Sequence, residues 1–337
     1  MGRALIFSDP RILQMILENY VPLTGDDWYQ RRRQDTEGEF FRQVAAQAGR
    51  GKVHENSDGG ATRQGVYLFT ADGTLLGHTI ATRSVERTYQ VLQRGLRQWH
   101  TLPKDKRQPG AVHVEAPGTH DRRYTRTPPA NGLIVHVHAR ILDKDAHGRW
   151  RKGSCDVLGG DQASHDRLWL TEAEWRSLIP PDPKVDTSAQ VPAAVLDRMT
   201  RYHLVDNTRG EPAMWKPEEV RTRELTLTVT EVTPERVRLQ LVGAALMATH
   251  SDLAQAERGF DARLEGIIEY DVARQTMSRF DLVAVGHPWG ESKLSPRARA
   301  GRQPFGVAFE LATGDTPANR VPPQGARNMA AYLGTAR

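Results

Sequence analysis

Beyond residue 130 the chain repeatedly swaps apolar for polar residues one position at a time, and that period of two constrains the fold more than any other feature. Leu133, Val135, Val137 and Ala139 fall on one face of an extended segment, with Ile134, His136, His138 and Arg140 on the other. The same alternation runs through 224–230 and 236–246, then through 263–271 and 276–286, and ends at 305–311. Strands joined by connections as short as Thr233-Pro234-Glu235 pair antiparallel, because a parallel return needs a crossover of a dozen or more residues. The expected C-terminal domain, residues 131–316, is therefore a mainly antiparallel β-meander, an open sheet or a sandwich- or barrel-like one, with a few helices. Thr171 and Glu174 form a capping box that starts one of them, Pro180, Pro181 and Pro183 end it, and 195–202 is another. Residues 317–337 read as a loosely ordered tail.

The first hundred residues follow a different rhythm. An apolar strand at 3–7 leads into Ser8, Asp9 and Pro10, an N-cap followed by proline at the first helical position. Ile12, Leu13, Ile16 and Leu17 then recur at helical spacing as a buried stripe. A short strand at 21–23 precedes a second capping box, Thr36 with Glu39, whose helix buries Phe40, Phe41, Val44 and Ala48. A strand at 64–70 turns at Asp72-Gly73 into Leu75 and Leu76, and Ser84 caps a helix bearing Val85, Tyr89, Leu92 and Leu96.

This strand, helix, strand, helix, hairpin, helix order resembles the thioredoxin-like fold over residues 3–100, so an α/β domain is expected at 1–102. The resemblance implies a shape without its usual chemistry. Redox-active members carry Cys-x-x-Cys at the first helix start and a cis-proline before the hairpin. This chain has Ser8-Asp9-Pro10-Arg11 and Thr62-Arg63-Gln64-Gly65 in those places. Neither Ser8 nor Asp9 can form a mixed disulfide, which excludes thiol-disulfide oxidoreductase activity there. Residues 103–130, basic and proline-rich, read as a linker.

The single cysteine, Cys155, excludes an intramolecular disulfide and fits a reducing compartment. Residues 1–7 turn polar too soon for a signal sequence, so a cytoplasmic location is expected. No apolar run approaches the ~20 residues of a membrane span. Lys and Arg exceed Asp and Glu by 46 to 41. They cluster only at Arg31, Arg32 and Arg33 and at Arg122, Arg123 and Arg126, whereas tracking a phosphate backbone takes a continuous basic stripe, so nucleic acid is not the expected partner. Hydrolase-elbow, phosphate-loop, zinc-helix and dinucleotide fingerprints are absent, so no nucleotide cofactor is indicated.

Three groups of residues could carry chemistry. His136 and His138, two apart on one strand, could present imidazoles to a divalent metal, although the third ligand is missing and Asp143 and Asp145 follow where a glutamate would be wanted. The densest polar run, 201–212, contains His203, Asp206, Arg209 and Glu211. His203 with Asp206 could act as an oriented base, and Arg209 could clamp a carboxylate or phosphate. His287 and Trp289, at a strand exit, could line a ligand pocket; His250, His120 and Asp121 add isolated donors. Two readings follow. The first is a non-redox thioredoxin-like protein that binds a protein partner or small molecule; the alternative is a metal-dependent or acid-base enzyme with its site in the β domain.

Overall fold

A computed structural model describes the chain except for residues 1–5, 8, 51–61, 81–83, 114–117, 143, 150–163, 296–297 and 335–337. Ser8, Asp143, Cys155 and the first residues of the expected strand at 3–7 therefore lie outside the described residues. The chain divides into two units, Met1–Arg126 and Thr127–Arg337.

In the second unit the alternating segments become one antiparallel sheet of eight strands. They are β3 (Leu133–Ile141), β4 (Ser164–Leu170), β5 (Ser188–Gln190), β6 (Val220–Val232), β7 (Arg236–Ala248), β8 (Arg258–Asp271), β9 (Thr276–Gly290) and β10 (Phe305–Leu311). Their spatial order is β4-β3-β10-β9-β8-β7-β6-β5, so β6 to β10 form a meander and β3 with β4 extend it beyond β10. The sheet is open, with β4 and β5 at its edges. The inner face carries the expected apolar residues. Val135, Val137, Leu239, Leu241, Leu264, Leu282 and Phe309 are buried against Trp175 of α6 (Glu172–Arg176) and Val195 and Leu196 of α7 (Ala193–Arg198). The Thr171 capping box is formed, and helix 195–202 is realised as α7 continued by a π-helical turn, Met199–His203. That turn contacts β4 at one edge and β6 near the other, so the sheet curls around it.

Within the segment expected to be a loose tail, several of the described residues pack into the unit. A 3₁₀ turn (Gln324–Asn328) and a short helix α8 (Met329–Tyr332) place Ala326 and Tyr332 in a cluster with Trp169 and Tyr202. The reason lies at the edge strand, whose free backbone groups need partners. Trp169 N–H donates to the Tyr332 hydroxyl at 3.1 Å, and Trp169 C=O accepts from Arg198 Nη1 at 2.9 Å. Gln324 N–H donates to Asp166 at 3.1 Å and Arg167 Nη2 donates to Ala318 C=O at 2.9 Å. At the other edge, β5 exposes only three residues.

The first unit contains α1 (Pro10–Asn19), α2 (Asp27–Gln30), α3 (Thr36–Gln47), a hairpin of β1 (Val66–Phe69) and β2 (Leu75–Thr79), α4 (Val85–Thr101) and α5 (Lys104–Arg107). Asp9 caps α1 through Arg11 N–H with Pro10 next, and Ser84 caps α4 through Arg87 N–H. Asp35 rather than Thr36 caps α3, accepting from Gly38 N–H. Two expectations fail here. Residues 21–23 make no strand and have no partner strand among the described residues, and Ile6 and Phe7 are helical. Within α1 only Ile12 is fully buried; Leu13 and Leu17 face solvent.

Residues 103–126, expected as linker, belong to this unit. Asp121 accepts from Gln34 N–H at 3.0 Å while its own N–H donates to Asp35 at 2.8 Å. Buried Arg33 grips Asp35, which also accepts from Gly38; despite the cost of burial these bonds hold the Asp35 carboxyl far below the usual carboxylate range. Among the described residues no helix is long and apolar enough to cross a membrane, and no peptide bond is cis.

Candidate functional site

The π-helical turn decides what His203 can do. One extra residue per turn swings its side chain inward, where it is completely buried. Its Nδ1 lies 3.3 Å from Asp166 Oδ2 on β4, and its Nε2 lies 3.0 Å from the Tyr332 hydroxyl. The Tyr332 oxygen accepts from Trp169 N–H and bonds His203 Nε2 through its remaining capacity, whereas His203 Nδ1, although close to Asp166, makes no hydrogen bond. Asp166, His203 and Tyr332 stand in the spatial order of a catalytic triad, but the terminal hydroxyl is sealed. Tyr332 is 1% exposed, and burial drives its phenol far above the usual tyrosine range. The three fasten α8 to the β4 edge.

Arg198 completes the fastening. Its guanidinium forks onto Glu174 at 2.5 and 2.6 Å and donates to the carbonyls of Trp169 and Tyr332. Burial pushes the Glu174 carboxyl up, but the bonds from Arg198 and Thr171 outweigh it and hold the carboxyl below its ordinary range.

The rest of the polar run 201–212 closes on itself. Asp206, expected to orient His203, instead accepts from Thr208 Oγ1 at 2.6 Å and Arg209 Nε at 2.7 Å. Arg209, expected as an anion clamp, is 5% exposed and donates to the carbonyls of Ser295 and Gly290 at 2.7 and 3.0 Å. Gly290 sits at φ +78°, and a Cβ there would lie 1.8 Å from Glu257 O, so only glycine delivers that carbonyl to the arginine. Glu211 pairs with Arg327 at 2.9 Å. His203, Asp206, Arg209 and Glu211 therefore do not converge on a shared space.

His287 and Trp289 also part company. His287 is exposed on the outer face of β9 beside Asp261 of β8. Trp289 donates from Nε1 to Ala256 C=O at 3.0 Å and lies against Gly259, with Arg302 stacked 3.9 Å above its ring. That arrangement folds the turn before β8.

His136 and His138 do share the outer face of β3, as the alternation requires. His165 of β4 stands directly opposite His138, their ring centroids 4.6 Å apart. Burial, and then the neighbouring histidines, hold His138 below its ordinary value; burial, then Arg167 and His136, do the same to His165. Buried Asn319 donates through Nδ2 to the carbonyls of Thr313 and Gly314, so its Oδ1 is the acceptor for His136 Nε2–H at 2.8 Å. Glu310 Oε2 lies 3.9 Å from His138 Nε2. Even with these additions, no group of three or more metal-ligating side chains among the described residues is placed to hold an ion.

Asp166, Arg198 and Tyr332, the groups that define the surroundings of His203, escaped notice because each sits in an unremarkable stretch far from residue 203. An open groove of about 460 Å³ on the outer face of the sheet is lined by Gln240, Glu265, Ile267, Asp281 and Val283 among others, and contains none of the expected site residues. No protein family, no curated protein and no solved structure matches the chain.

Proposed function

We propose that this chain is a binding protein whose N-terminal unit docks a protein partner. One observation carries the reading: an apolar run along α1 and its exit lies open to solvent. Leu13 is 41% exposed, Leu17 76%, Val21 86% and Leu23 75%. Single exposed apolar residues are ordinary, but Leu13 and Leu17 are one helical turn apart and Val21 continues their line past the end of α1. With Ile12, Met15 and Ile16 on its core side, α1 is apolar on two faces, the pattern of a helix meant to be covered on both. In the second unit His203, Asp206, Arg209 and Glu211 are engaged in bonds within that unit.

A non-redox thioredoxin-like reading of this unit is supported by the hairpin and α4, where Leu68 of β1 seats against Gly95. Residues 21–23, where the resemblance places a strand, depart from it. The test is photocrosslinking in the source cell from a photoreactive residue at position 17, with exposed position 94 on α4 as control. A discrete protein adduct from position 17, lost when Val21→Asp is added, is expected. Indistinguishable labelling from both positions would refute the reading.

A further inference from the structure

The outer face of the sheet carries a second surface with a defined complement. In an antiparallel sheet open to solvent on one face, outward positions are expected to be polar. Here two adjacent rows across β7, β8 and β9 read apolar, charged, apolar. In the first, Val242, Glu265 and Val283 are paired in register; in the second, Ala244, Arg263 and Val285. Val242, Val283 and Val285 are 53%, 45% and 43% exposed. The rows continue onto small residues of β10, Ala308 opposite Val283 and Gly306 opposite Val285. The two charges at the centre are of opposite sign, two residues apart on one strand and exposed. Among the described residues neither Glu265 nor Arg263 makes an ion pair, although the neighbouring Arg236, Arg238, Arg279, Glu231, Glu269 and Asp281 are all engaged with one another.

This pattern is its own complement. A two-fold axis lying in the face, perpendicular to the strands and passing between the rows, sets each row against the other row of a second copy. Glu265 then meets Arg263 of the second copy, and Arg263 its Glu265, while Val283 meets Val285 and Val242 meets Ala244. At the margin, Asp281 meets His287 by the same operation. Two-fold interfaces repeat every contact, so two unsatisfied charges become two ion pairs inside an apolar surround. We infer that this face, centred on Arg263 and Glu265, docks a second copy of the chain, sheet against sheet.

Sedimentation equilibrium of the full chain, with melting followed in parallel, tests this. The wild type should associate to a dimer. Arg263→Glu and Glu265→Arg each set like charges face to face twice, and each should weaken the dimer by at least about tenfold with melting of the monomer unchanged. The double variant Arg263→Glu/Glu265→Arg restores both pairs and should recover dimerisation. A wild type that stays monomeric at the highest soluble concentration would overturn the inference. So would single variants that dimerise as wild type, or a double variant as weak as the singles.

Discussion

Replacing Tyr332 by Phe removes one oxygen and tests the whole account of His203. That oxygen serves two buried groups, accepting from Trp169 N–H at 3.1 Å and sharing a hydrogen bond with His203 Nε2 at 3.0 Å, and the residues bearing them are 0% and 2% exposed. The ring remains, so packing against Tyr202 and the Arg198 guanidinium is kept and no cavity opens. What is lost is the partner of two polar groups that water cannot reach, each worth about 1–3 kcal/mol. The expected destabilisation is therefore about 2–6 kcal/mol, large beside a domain stability of about 5–15. Urea unfolding of the full chain gives the loss, and hydrogen exchange of the Trp169 amide gives its location, since that proton loses its acceptor. A change within ~0.5 kcal/mol, with Trp169 as protected as in the wild type, would refute the assignment of Tyr332 as the fastening of the β4 edge.

Two further outcomes bear on the other expected site residues. Arg209→Lys keeps the charge but loses the planar fork that reaches Asp206, Ser295 and Gly290 together, so a loss of about 2 kcal/mol or more is expected in thermal unfolding; an unchanged midpoint would show that those three bonds do not hold the loop. His138 and His165 are held below their ordinary value of 6.5, so as pH falls past 6.5 the unfolded chain takes protons that the folded one refuses. Stability should therefore be full above that value and decline below it, and His138→Gln/His165→Gln should flatten the decline in urea midpoints measured between pH 7 and 5. Parallel slopes for the two proteins would contradict the shifts.

The sheet could be read in the sequence because its signal is local. A period of two over ten residues announces a strand whatever it pairs with, and β6 to β9 lie beside their sequence neighbours. The strand β4 escaped that reading because His165, Asp166 and Arg167 break the alternation; its place at the edge makes those residues useful. The run 21–23 misled in the opposite sense, since three apolar residues suggest a strand that the fold does not pair. In α1 the helical spacing was right and the face was not, because a helix apolar on two sides does not say which side is the core. The polar run 201–212 was visible as a concentration of chemistry, but its meaning rests on Asp166, Ser295, Arg327 and Tyr332, and no local pattern connects them.

The closure of β4 by Tyr332 also sets a schedule for synthesis. The two bonded residues are 163 positions apart, so a ribosome adding about 5–20 residues per second leaves that edge uncovered for roughly 8–30 s after Trp169 is made. During that interval β3 and β4 await both β10 and α8, and a nascent chain with an open strand edge is a substrate for chaperones and for its neighbours on the same message. The hydroxyl that silences His203 in the finished protein is thus also among the last parts of this unit to arrive.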